Sequence, residues 1–391
     1  MNHKTTRKIC GTRCCLALTL SFAISTTYAM PLMAESNVTM GTAMNGMAIG
    51  NMPKSMMGSH HAGGRAPVGL MGKHMHKKGE WMLSYRYMQM RMSGNISGTN
   101  DISADTIATS VPNPFFGMGT QPPTLRIVPT EMTTNMHMFG AMYAPSDDLN
   151  LMAMIGYIDK TMDMVTYAGG AGTTVLGTST VNSSGFGDLK LAGQYRLYDD
   201  KTHHVHLKFG LSVPTGAIDK QGTMLAPNGT TPTMRLAYGG QLGTGTHDFL
   251  PGITYTARHK DWSWGAQYRG EMRLESTNSE GYAWGDKHAV TAWVARQWKP
   301  GFSTSFRIDA ITQDAIDGSD PLIMGAMQTA NPANYGGQRV DMFVGFNFKM
   351  RKGPIKGVKL AAEIGTTVYQ NANGIQMKPD YMFALGLYKM F

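Results

Sequence analysis

The chain has 391 residues, a formal net charge of +9, and 34 methionines against only three cysteines. So few cysteines exclude a disulfide-stapled scaffold. A mean hydropathy of −0.22 excludes a bundle of apolar membrane helices, and the modest cationic excess suits an anionic lipid surface better than nucleic acid.

Residues 1–29 have the layout of a secretory signal peptide. Lys4, Arg7, Lys8 and Arg13 precede an apolar run from Cys14 to Ile24, and Thr27-Tyr28-Ala29 forms a small-x-small cleavage site. The run is shorter than a membrane span, and no later stretch reaches the about eighteen uncharged apolar residues a span requires. Cys10, Cys14 and Cys15 all fall inside it, so the mature chain is expected to carry no thiol.

Residues 30–78 lack periodicity and are rich in Gly, Ser, Met and His, which predicts a weakly ordered periplasmic tail. Thioethers bind Cu(I) and Ag(I) through softness alone, and imidazole suits Cu(II) and Zn(II). Met52, Met56, Met57, His60, His61, Met71, His74, Met75 and His76 are therefore candidate ligands for Cu(I) or Ag(I) held by the tail. No cofactor is required by any other feature. The bland alternative is that methionine is flexible apolar filler.

From residue 79 to 391 apolar and polar residues alternate with the period of a strand. Twelve strands are expected, near 81–94, 128–144, 149–166, 185–198, 204–214, 245–258, 262–274, 286–298, 302–313, 337–350, 357–370 and 379–391. Their connections alternate between short turns, such as Lys299-Pro300-Gly301, and long polar loops near 95–127, 167–184, 215–244, 275–285, 314–336 and 371–378. That is the layout of a transmembrane antiparallel β-barrel with short periplasmic turns, and an even strand number puts both chain ends in the periplasm.

Parity assigns the faces. Leu149, Leu151, Ala153, Ile155 and Tyr157 point outward, leaving Met152 and Met154 inside. Leu189, Leu191 and Tyr195 oppose Asp188, Lys190, Gln194 and Arg196. Val205, Leu207 and Phe209 oppose His206 and Lys208; Trp262 and Trp264 oppose Gln267, Arg269 and Glu271; Phe306 and Ile308 oppose Arg307 and Asp309. The expected lumen lining is Met82, Met88, Met90, Met92, Met136, Met138, Met142, Met152, Met154, Asp188, Lys190, Arg196, Arg269 and Arg307. His203, His204 and His206 read as solvated residues at the start of a strand. Aromatic residues such as Trp81, Tyr143, Tyr195, Trp262 and Trp298 fall at strand ends, as in a membrane-interface girdle.

The last eleven residues, YMFALGLYKMF, alternate in the same way and end on Phe391. This resembles the C-terminal signature of Gram-negative outer-membrane barrels and departs from it at Lys389. KGEWMLSYRYMQMRM (78–92), the stretch 129–158, GFGDLKL (185–191), SVPTGAI (212–218), GTGTHDFLPGITY (243–255) and WSWGAQ (262–267) resemble a family of outer-membrane transporters of the "MetA-pathway of phenol degradation" type, itself distantly similar to long-chain fatty-acid transporter barrels. The resemblance implies passive passage of a small, hydrophobic or aromatic solute across the outer membrane. The partners it implies are outer-membrane lipid, lipopolysaccharide and the barrel-assembly machinery, with no nucleic acid. The alternatives from the residues are a copper- or silver-binding outer-membrane protein supporting resistance or efflux, and a structural barrel without transport. The sequence contains neither a G-x-S-x-G elbow nor an H-E-x-x-H zinc motif, so an enzyme is not expected.

Overall fold

The structure, a computed structural model, describes residues 65–391. The long strands are β1 (Trp81–Gly98), β2 (Ile127–Tyr143), β3 (Leu149–Tyr167), β4 (Val175–Phe186), β5 (Leu189–Asp199), β6 (His203–Val213), β7 (Gly252–His259), β8 (Trp262–Arg273), β9 (Lys287–Lys299), β10 (Phe302–Gln313), β11 (Gly337–Lys349) and β12 (Lys359–Met390), with six strands of two or three residues in the loops. One short helix, α1 (Ala104–Ser110), lies in the first long loop. Antiparallel pairing runs β1-β2-β3-β5-β6-β7-β8-β9-β10-β11-β12 and returns to β1, so the sheet closes on itself. β4 continues the course of β5 past Gly187 and Asp188, because both pair with successive parts of β3.

That ring has eleven elements, and an all-antiparallel ring needs an even number. β12 supplies the difference. Its 32 residues would span about 100 Å if straight, some three times a bilayer core. Instead Lys359–Ala372 pair with β11, while Ala372–Met390 pair with β1. The chain reverses at Asn373-Gly374, where Gly374 has φ +61°, and Thr366 Oγ1 donates to Asp380 O at 2.8 Å across the two limbs. Asn-Gly is the preferred pair for such a two-residue reversal. The wall therefore has twelve crossings.

Closure is sealed at the chain's end. Trp81 N donates to Phe391 O and Phe391 N to Trp81 O, at 3.3 and 2.9 Å. Leu83, Leu151, Leu191, Phe209, Val290, Phe306, Val344 and Ile364 are exposed on the outside of the wall. An apolar outer band on a closed sheet meets both demands of hydrocarbon, since closure pairs the backbone around the ring and the band presents oily side chains to lipid. Trp81, Tyr143, Tyr195, Tyr198, Trp262 and Trp298 mark the short-turn rim; Trp81 stacks on Tyr143 at 4.5 Å. This is an outer-membrane β-barrel. Lys389 points outward at that rim, 5.0 Å from the Phe391 ring, where its ammonium reaches the interface.

Three expectations change. Residues 167–184, expected as a loop, are largely β4. Its Thr and Ser residues have no apolar face, yet β3 reaches beyond the membrane and its backbone needs a partner. The loop expected over 371–378 shrinks to the Asn373-Gly374 turn. The third change concerns residues 65–78, expected in a weakly ordered tail. They are packed into the lumen: Ala66, Val68, Leu70, Lys73, Met75 and His76 are buried.

Candidate functional site

The floor of the site is the segment Arg65–Lys78. It starts at the short-turn rim, where Arg65 Nη1 donates to Lys260 O and Asn347 Nδ2 donates to Arg65 O, both at 3.1 Å. It turns back inside the lumen and ends at β1. Ala66 and Leu70 pack on Trp293, and Val68 packs on Met82, Met142, Met152 and Tyr388. Inward side chains of the wall grip its backbone. Gly69 N donates to Glu363 Oε2 at 3.0 Å, Gln267 Nε2 to Met71 O at 3.0 Å, and Gln194 Nε2 and His206 Nε2 to Gly72 O at 2.6 and 2.7 Å. The bond to a carbonyl requires the proton on His206 Nε2. Gly72 has φ +63°, and a Cβ there would sit 2.5 Å from Gln194 Nε2, so the grip needs glycine at this position. Within the segment, Lys73 Nζ ties off the turn by donating to Ala66 O and Pro67 O at 3.0 Å. This segment is a plug.

The roof is built by the long loops. Leu236, Ala237 and Tyr238 from the loop after β6, Tyr282 from the loop after β8, and Ile316, Ile323, Met327 and Ala330 from the loop after β10 form one apolar core with Met132, Met162 and Met164 of the wall. Trp284 and Tyr335 pack against it and meet each other edge to face. Burial pushes the phenols of Tyr282 and Tyr335 above their ordinary range, so both stay neutral. Asp188, expected in the lumen lining, instead sits at the junction of β4 and β5 and anchors this lid. It accepts from Gly216 N and Thr244 N at 2.9 Å and from Thr244 Oγ1 at 3.2 Å. Lys160 Nζ adds a second anchor, donating to Gly239 O and Gln241 O at 2.8 and 2.5 Å.

Between plug and lid lies a cavity of about 710 Å³ lined by both and by the wall. Its wall has two unlike sides. The contiguous run formed by the second limb of β12, β1, β2 and β3 supplies methionines: Met377 and Met382, then Met88, Met90 and Met92, then Met132 and Met136, then Met154 and Met162. Strand register stacks them. Met88 is opposite Met136, Met90 opposite Met382, and Met92, Met132 and Met162 form a row across three strands. Directly opposed residues hold their Cβ atoms about 5 Å apart, so the thioethers merge into one apolar, polarizable surface.

The other side runs from β5 round to the first limb of β12 and is charged. Including Lys160, seven basic side chains line the cavity against four acidic ones, Glu271, Asp309, Asp341 and Glu363. Arg269 and Arg307 both reach Asp309, the former at 2.9 and 2.7 Å; Arg307 also binds Glu363, and Arg339 binds Asp341 at 3.0 Å. Buried carboxylates at these positions are what make buried guanidiniums tolerable.

The structure brings together on the cavity Met71, Met88, Met90, Met92, Met136, Met154, Lys190, Arg269 and Arg307 from the sequence-derived set. Met82, Met142 and Met152 form their own row lower down, against the plug. Met138 is inward but off the cavity, opposite Arg86 and Gly156. Arg196 belongs to the short-turn rim, paired with Asp199 and, at 3.6 Å, with Asp148. His206, expected to be solvated, is buried and holds the plug. Of the candidate metal ligands, Met52, Met56, Met57, His60 and His61 lie outside the described residues. Met71 faces the cavity, Met75 and His76 are buried in the plug, and the rings of His74 and His76 are 4.7 Å apart. Sequence reasoning missed Met132, Met162, Met377, Met382, Lys287, Arg339, Asp341 and Glu363. The same parity rule, extended to β9, β11 and β12, assigns most of these inward.

No family model matches this chain, and no curated protein matches it. Solved structures do. An outer membrane channel from Pseudomonas putida F1 aligns with TM-score 0.53 at 13% identity, over 82% of this chain and 99% of that one. A Pseudomonas aeruginosa FadL homologue aligns at 0.39 with 7% identity, over 80% and 90%, and the Pseudomonas putida toluene transporter TodX at 0.38 with 8% identity, over 80% and 89%. The first shows that the fold is shared; the other two are too distant to carry an argument.

Proposed function

We propose that this barrel, which shares its fold with a known outer membrane channel, passes a small, mainly apolar or aromatic solute across the outer membrane. The observation that carries this reading is the methionine-sided cavity held between two internal stoppers. Its volume falls in the range of small-molecule sites. A structural barrel has no use for an apolar chamber along its axis. Methionine suits a transient binding surface because its side chain adapts to differently shaped guests. Transit requires the plug or the lid to move, and neither is a strand of the closed sheet.

Planar-bilayer recordings test the channel reading. The intact protein is expected to show rare, small openings. The triple variant Gln194→Ala, Gln267→Ala and His206→Ala, which removes three bonds to the plug, is expected to open often. A barrel that folds normally and stays closed in both forms would overturn the reading.

A second reading, binding of Cu(I) or Ag(I), rests on the thioether rows and on the adjacent His74 and His76 rings. The excess of basic side chains around the cavity opposes entry of a cation. Isothermal titration of the full mature protein with Ag(I) tests it; binding unaffected by Met90→Leu and Met92→Leu would remove the cavity from this reading.

A further inference from the structure

The arginines of the charged side each have a carboxylate of their own. Arg269 and Arg307 have Asp309 and Glu363, Arg339 has Asp341, and Arg273, just above, is paired with Asp248 at 2.5 Å. The lysines do not. Lys190 on β5, Lys208 on β6 and Lys287 on β9 all face the cavity near β8, and the carboxylate among them is Glu271. Lys190 Nζ lies 3.6 Å from Glu271 Oε1, and Glu271 is directly opposite Lys287 in strand register. Three ammonium groups thus share one carboxylate inside a chamber where charge is poorly screened. The methionine surface lies on the facing wall.

We propose that Lys190, Lys208 and Lys287 form a binding site for the anionic head group, a carboxylate or sulfonate, of an amphipathic solute whose apolar body lies against the methionines. This names the solute class of the channel reading and rests on it. Two ammonium charges beyond the one that Glu271 balances make an entering anion favourable, where a neutral guest would gain only from the apolar wall. Lysine also fits transit better than arginine. An ammonium is a mobile point charge, whereas a guanidinium fork grips a carboxylate through two bonds and releases it slowly. Glu271 takes the opposite part: it tempers the field, so that the anion is held weakly enough to leave.

The experiment compares three water-soluble probes of one shape, 4-phenylbutyrate, 4-phenylbutanol and 4-phenylbutylammonium. Each is titrated calorimetrically into the mature protein in nanodiscs of neutral lipid. The expected order is the carboxylate about tenfold tighter than the alcohol, and the ammonium weakest. In the Lys190→Gln, Lys208→Gln, Lys287→Gln variant the carboxylate should fall to the level of the alcohol, whose own affinity stays unchanged. The single variants Lys208→Gln and Glu271→Gln serve if the triple one does not fold. The first should lose part of the preference and the second should strengthen carboxylate binding several-fold. Equal binding of carboxylate and alcohol to the wild-type protein, or a preference for the ammonium, overturns this inference and leaves the apolar channel standing. Failure of all three probes to bind sinks the apolar channel reading as well.

Discussion

Glu363 joins three parts of the molecule. It lies on the first limb of β12, pairs with Arg307 of β10, and accepts the amide of Gly69 from the plug. Both side chains are almost wholly buried, at 1% and 5% exposure. Removing Glu363 leaves Arg307 with Asp309 alone, a carboxylate it shares with Arg269. Glu363→Ala is therefore expected to destabilise the folded barrel by about 3 kcal/mol, read from the urea midpoint in lipid vesicles. Glu363→Gln, which keeps an acceptor for Gly69 N, should hold the plug better than Glu363→Ala.

Lys73 predicts a pH dependence. Burial, then the nearby Lys359 and Arg86, lower its pKa well below the ordinary lysine value, and Glu363 opposes them. The docked plug therefore binds fewer protons than the released one at pH values between the lowered and the ordinary value. Docking must strengthen as pH rises through that window, and the dependence vanishes below it, where both states are protonated. Openings in planar bilayers are expected to become rarer as pH rises toward the ordinary lysine value. Lys73→Met should flatten the profile; an unchanged slope in that variant would overturn the assignment to Lys73.

Among the elements, the strands were readable and the plug was not. Lipid imposes the alternation of Leu207, Phe209 and Leu211 against His206, Lys208 and Ser212, so the pattern is written into the residues themselves. The plug obeys no period. Gly69 and Gly72 look like the glycines of a flexible linker, and Lys73 and His76 like solvated residues. What orders them is the set of wall residues Gln194, His206, Gln267 and Glu363, far away in sequence, and no local signal records that meeting. The lid was legible only as long loops; its anchor Asp188 was misplaced because strand parity says nothing at a break between strands. Asp188→Ala removes the acceptor of three lid hydrogen bonds. It is expected to cost about 1–3 kcal/mol and to raise open-channel conductance while leaving the barrel's heat-resistant mobility on gels intact.

For the whole molecule, the partition between lipid-facing and lumen-facing residues sets what the wall tolerates. Leu191 is exposed on the outer wall, and its neighbour Lys190 points into the cavity. Leu191→Arg is expected to destabilise insertion by about 2–4 kcal/mol, measured by urea titration in vesicles. Lys190→Leu should leave insertion nearly unchanged. Equal costs would mean that the apolar band does not lie where β5 puts it.

The plug leaves the lumen by the side on which it came in. Arg65 rests on the turn at Lys260, and Gly79 N donates to Ala144 O beside the turn that follows β2, so both feet stand on the periplasmic rim while Gly69 and Gly72 hang inside. Such a hanging bight can be drawn out only downward. A force applied from the cell interior unseats it, whereas the lid at the far end gives an external agent no hold on it. On the channel reading the chamber resembles a cistern whose drain is worked from below, and filling and emptying need not share a trigger.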